Sequence, residues 1–148
     1  MSNQRNDAVP MFLYVNEIES NKNLAAAIES IEQNKFFQTL VVEIKNGGRA
    51  LVSLWAEGNM NFTFMSREMN GKPWLWMFTS QAEAEKMQKN LEHMKNSIIQ
   101  ITDVDIKSFL KEVAENEETG GVAFDPWSGK RAKFLPRKLV QLALQINT

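Results

Sequence analysis

Residues Trp74–Phe78 put Trp74, Trp76 and Phe78 on one side of an extended chain and Leu75 and Met77 on the other. A strand that is apolar on both faces leaves water only when something covers it above and below, so this run predicts a central strand between packed layers. With 148 residues the chain has room for one such domain, large enough to bury a core without staples.

The flanking patterns supply the layers. Met1–Val9 are polar and aperiodic, so residues 1–10 read as a disordered tail closed by Pro10 and residues 11–148 as a single folded unit. Leu24, Ile28 and Ile31 share a helical face, with Asn21 or Asn23 as its cap and an end near Asn34. In Thr39–Ile44 the residues Leu40, Val42 and Ile44 alternate with Thr39, Val41 and Glu43. With the Asn46-Gly47-Gly48 turn signal and Arg49–Trp55, that alternation predicts a β-hairpin. Met60–Met65 alternates Met60, Phe62 and Phe64 with Asn61 and Thr63, a strand wet on one side, before a break at Gly71-Lys72-Pro73.

Beyond the central run, Ser80 stands three residues ahead of Glu83, the spacing of a capping box, and Ala84, Met87, Leu91 and Met94 continue a helix to Lys95. A short strand follows at Ile98–Ile101. Thr102 and Asp105 repeat the capping spacing ahead of a helix bearing Ile106, Phe109, Leu110 and Val113, which ends at Glu115–Gly120. Gly121–Phe124 reads as a strand and Asp125–Gly129 as a turn. Pro136 opens a last helix with Leu139, Leu142, Ala143 and Ile146 on its buried face. The expected class is α+β: a mostly antiparallel, mixed sheet of five to six strands packed with about four helices.

The side-chain inventory narrows the chemistry. One histidine and no cysteine leave too few ligands for zinc and no thiol nucleophile. His93 falls off the apolar stripe of its helix, where it reads as an exposed residue near a helix C-terminus. Asp103-Val104-Asp105 lacks the glycine and closing glutamate of a calcium loop and is read as a cap followed by a first-turn carboxylate. There is no G-x-S-x-G elbow and no phosphate-cradling glycine loop. Asn61-Phe62-Thr63 matches a glycosylation sequon but is read as chance. No catalytic residue, metal or cofactor is expected. Four tryptophans and nine phenylalanines are not interleaved with basic residues, so they read as core and not as a base-stacking platform.

Lysine and arginine number 17 against 18 acids, a balance that gives no pull towards nucleic acid or anionic membranes. No window approaches a membrane span, and a cytoplasmic location is expected. The charges are nonetheless unevenly placed: residues 81–120 carry −4 and residues 121–148 carry +4. The basic excess is Lys130, Arg131, Lys133, Arg137 and Lys138. Pro126 biases Asp125 towards an extended conformation and stiffens the turn that presents Trp127. The expected binding surface therefore comprises Asp125, Trp127, Lys130, Arg131, Lys133, Arg137 and Lys138, facing a protein or a small anionic ligand. Trp127 is either its apolar anchor or a cap on the core; both readings stand.

Phe78-Thr79-Ser80 running into a helix, Gly121-Val122-Ala123-Phe124-Asp125-Pro126, and Phe134-Leu135-Pro136 leading into the last helix together resemble the N-terminal domain family of the bacterial SseB, or enhanced serine sensitivity, proteins. The similarity runs from about Met11 to Ile146. It implies an α+β domain and supplies no catalytic residues. The expected function is a non-enzymatic binding or interaction module. An immunity-type or regulatory protein with one partner, or an enzyme or sensor for a small polar metabolite using Asp125 and Arg137, are the alternatives.

Overall fold

The doubly apolar run becomes β5 (Lys72–Met77) of a computed structural model that describes residues 10–57, 61–94 and 96–146. Of the expected tail, residues 1–10, residues 1–9 lie outside the described residues, and Pro10 is buried directly ahead of β1, so the ordered chain begins at least one residue earlier than expected. β5 is covered on both faces, as its sequence requires. Met77, with Leu75 packed against the same cluster, joins a core with Leu24, Leu40, Leu110 and Val140. Trp76 and Phe78 join a second core with Met87, Ile99 and Ile101.

Among the described residues eight strands form two mixed sheets in place of the single sheet expected. One orders β1 (Met11–Tyr14), β6 (Ser97–Asp105), β2 (Arg49–Glu57) and β3 (Thr63–Phe64). The other orders β4 (Ser66–Met69), β5, β7 (Gly121–Phe124) and β8 (Lys133–Pro136). The sheets are joined through the backbone: Leu51 N–H donates to Phe78 C=O at 2.9 Å and Phe78 N–H to Leu51 C=O at 2.7 Å. The chain itself crosses at Met65, which donates to Ser53 C=O and accepts from Trp76 N–H. Five α-helices cover them: α1 (Lys22–Glu29), α2 (Gln33–Lys45), α4 (Ile106–Glu115) and α5 (Arg137–Ile146) contribute to the first core, and α3 (Gln81–Asn90) to the second. The α+β class holds.

Local signals worked where side chain and backbone satisfy each other. Asn21 caps α1 by accepting from Leu24 N–H at 3.0 Å, and Ser80 caps α3 by accepting from Glu83 N–H at 3.2 Å. Asp105, not Thr102, caps α4, accepting from Ser108 N–H at 3.0 Å, while β6 runs on through Thr102. Asp103 is then no capping carboxylate. It is buried in β6, where hydrogen bonds from Glu17 N–H and Arg49 Nε, both at 2.7 Å, overcome the upward effect of burial and hold its carboxyl below the usual range.

Thr39–Ile44 is not a hairpin strand but the second half of α2. Leu40 and Ile44 are one helical turn apart and also two strand periods apart, so both patterns fit them. Phe36 extends the buried helical row to Phe36, Leu40 and Ile44, and Val42, which a strand would have buried beside them, is 49% exposed. The Asn46-Gly47-Gly48 signal ends this helix instead of turning a hairpin. Gly47 takes φ 74°, and Gly48 N–H returns to Glu43 C=O at 2.8 Å. A Cβ on Gly48 would collide with the Glu43 carboxylate. That carboxylate is buried and accepts from Asn21 and Asn23 at 2.7 and 3.0 Å, tying α2 to α1.

Other boundaries shift for similar reasons. Ile31 lies beyond the end of α1 and is exposed; α3 stops at Asn90; Phe62 is exposed, and only Thr63–Phe64 of its segment pairs with β2. Met60 and Lys95 lie outside the described residues. Pro136 ends β8 instead of opening α5, and β8 goes unrecognised in the sequence. Because β8 feeds directly into α5, the helix is rotated so that Val140 and Ala143 are buried, while Leu139, Leu142 and Ile146 are 40%, 44% and 55% exposed.

Trp76 is 6% exposed within this two-sided packing. Trp76→Ala is expected to cost about 3–5 kcal/mol in a denaturant titration, and near-wild-type stability would refute the covered-strand account.

Candidate binding surface

β5 and β7 run parallel in the register Trp76↔Ala123 and Met77↔Phe124, so Phe78-Thr79-Ser80 and Asp125-Pro126 leave the sheet side by side. Asp125 closes the gap between them. Its N–H donates to Met77 C=O at 2.8 Å, and its carboxylate accepts from Thr79 N–H and Thr79 Oγ1, each at 2.7 Å. To aim the carboxylate back at Thr79, Asp125 takes φ 49° and not the extended conformation expected ahead of Pro126. Aspartate enters that left-handed region more readily than most residues, and two short hydrogen bonds offset the strain. Burial pushes the Asp125 carboxyl up to about 6, with nearby Glu83 adding to the rise, while the Thr79 hydrogen bonds and Lys86 act against it.

The turn after Asp125 is fastened to the start of α3. Ser128 N–H donates to Asp125 C=O at 3.0 Å, Ser128 Oγ donates to Glu83, and Lys86 Nζ bonds Glu83 Oε2 at 2.8 Å and Ser128 Oγ at 3.3 Å. Trp127 consequently folds inward. Its ring meets Trp76 edge-on at 5.6 Å and packs against the second core. Asp125 and Trp127 therefore belong to an internal junction, and the core-cap reading of Trp127 is the one the geometry follows.

The expected cations also divide. Arg137 is no free anion contact, because its Nε donates to Ala114 C=O at 3.0 Å, a carbonyl shared with Gln141 Nε2 at 3.1 Å. That places its charge at the C-terminal end of α4, where the helix dipole favours a cation, and compensates for its poor position at the start of α5. Lys130 and Arg131, in a short 3-10 turn at Gly129–Arg131, are exposed, as is Lys138. Lys133 is half-buried. None of these four forms an ion pair with a described residue.

Lys133 borders a feature that the sequence reading missed. A groove of about 350 Å³ follows β8, lined by Phe36 and Phe37 of α2, Leu139 and Leu142 of α5, and the β8 residues Lys133–Leu135. Its signal was present in α5. Leu139, Leu142 and Ile146 form one apolar row and Val140, Ala143 and Leu144 another, more than a single buried face needs.

His93 is exposed, and among the described residues no cluster of three His, Cys, Asp or Glu could hold a metal ion. No helix among them is long and apolar enough to cross a membrane. Comparison with protein-family models, curated proteins and solved structures found no match to this chain.

Two outcomes test the junction. Trp127→Ala should lose about 2 kcal/mol of stability, whereas Trp127→Phe should stay close to wild type because the buried indole N–H has no hydrogen-bond partner to lose. Equal tolerance of both would place Trp127 outside the core. For Asp125, a folded-state pKa of about 6 lies above the unfolded value, so its stabilising contribution is full below about pH 4 and lost as pH rises through 6. Urea midpoints across that window should fall with pH by an amount worth about 2–3 kcal/mol. Asp125→Asn should flatten this dependence, and an unchanged pH profile would show that the carboxyl is not the titrating group.

Proposed function

We propose that this chain is a non-enzymatic protein-interaction module related to the SseB N-terminal domain family, and that its contact surface is formed by Lys130, Arg131, Lys133 and Lys138 with the groove along β8. The observation that carries this reading is the coincidence, on one stretch of chain, of exposed apolar side chains and four cations without carboxylate partners among the described residues. Solvated cations need no partner, but Leu139 and Leu142 gain by leaving water, and an acidic, partly apolar protein surface satisfies both groups.

The family relation rests on the three sequence stretches alone. The three stretches that resemble SseB converge on β7, with Thr79 bonded to Asp125 and Phe134–Pro136 paired with Gly121–Ala123. A binding role is favoured over catalysis because Asp125 and Arg137, the polar pair considered for an enzyme, are each committed to a different internal contact. An immunity-type or regulatory protein would use the same surface towards one dedicated partner. The absence of cysteine fits the reducing cytoplasm, where we place it.

Affinity capture from a cell extract tests the reading with the wild-type chain and the Lys130→Ala/Arg131→Ala/Lys133→Ala/Lys138→Ala variant. The variant should retain its melting temperature within a few degrees while specific capture falls about tenfold. Raising the salt concentration should weaken wild-type capture in the same direction. Capture that is indifferent to both changes would discard the proposed surface.

A further inference from the structure

Among the described residues β8 is the outer strand of its sheet, with β7 as its one neighbour there. Asp125 N–H, at the end of β7, turns towards β5. By alternation Val122 and Phe124 turn their peptide groups towards β8, where they pair with Leu135 and Lys133. The intervening residue, Phe134, therefore directs its N–H and C=O away from the sheet. This free peptide edge is bordered by apolar surface on both faces. Towards the helices lies the groove of Phe36, Phe37, Leu139 and Leu142. On the other face is the Phe134 ring, 45% exposed and edge-on to Trp74 at 6.3 Å.

We infer that the edge of β8 captures an extended acidic and apolar peptide segment of another protein by strand addition, a mode of contact that rests on the interaction reading above. The segment's backbone pairs with Phe134 N–H and C=O. One of its apolar side chains enters the groove while its neighbour in the chain lies over the Phe134 ring, because successive residues of a strand face opposite sides. Carboxylates on the same segment meet Lys133 and, just ahead of β8, Lys130 and Arg131. Charge selects this occupant over a second copy of the chain, which would bring its own Lys130, Arg131 and Lys133 to the seam. Lysine on the edge and a proline at its end are also the features by which edge strands resist pairing with themselves.

The test is a fluorescence-anisotropy titration of the full chain with a short labelled peptide carrying two adjacent valines flanked on each side by glutamates. Two controls replace glutamate by lysine or carry N-methyl groups along one backbone edge. The glutamate peptide should bind about tenfold or more tightly than either control, and Leu142→Asp, at an exposed position, should weaken it by about the same factor. Leu139→Asp provides a second variant if the first fails to fold. Equal binding of the N-methylated peptide, equal binding of the lysine peptide, or a chain dimer that Leu142→Asp dissociates would each overturn strand addition. Charge-dependent capture from extract that persists without probe binding would reject this mode and leave the basic surface standing. Loss of charge dependence in both assays would reject both.

Discussion

The backbone exchange between Leu51 and Phe78 makes one framework of two sheets, and the rest of the architecture is arranged around it. Each sheet has only four strands among the described residues. Joined at that bridge, β2 and β5 present Val52 and Met77 to the helix-rich core and Leu51 and Phe78 to the core beneath α3. The double apolar face of β5 follows from this position. It lies inside its sheet, next to the junction, and has packing on both sides.

At the C-terminal end of β5, immediately after the bridge at Phe78, the chain leaves the sheet beside β7, and two parallel strands ending together would expose adjacent unpaired peptide groups. Asp125 satisfies them by taking up Thr79 N–H with its carboxylate and Met77 C=O with its own N–H. This explains why a carboxylate is tolerated in a nearly sealed position: ionised, it has two donors; protonated, it incurs less desolvation. The same turn brings Trp127 onto Trp76 and Ser128 onto Glu83, which anchors the segment leading to β8.

The outward-facing half of that segment has the opposite character. Arg137 is drawn to the end of α4, whereas Lys130, Arg131, Lys133 and Lys138 remain without acidic partners among the described residues. Because β8 passes directly into α5, the helix has no freedom to turn its second apolar row inward, and Leu139 and Leu142 stay beside the strand edge. A basic, apolar, edge-strand surface is thus a consequence of a short connection on a rigidly held segment.

Much of the fold was legible in the residues. The covered strand at Trp74–Phe78, the caps at Asn21 and Ser80 and the apolar stripe of α4 rest on interactions within a few residues or on a face that has no other way to leave water. The basic segment was legible too, because net charge is a property of composition. Three decisions belonged to tertiary structure. Thr39–Ile44 satisfied both helix and strand periods until Phe36 and the α1 contacts selected the helix. Asp125 could be aimed only once β5 and β7 were neighbours, since Thr79 is distant in sequence. The groove arose because α5 carries two apolar rows and its packing against α4 could bury only one. Sequence determined which surfaces must leave water and which carry charge; the tertiary structure decided which of two equivalent faces did so, because that choice depends on neighbours remote along the chain.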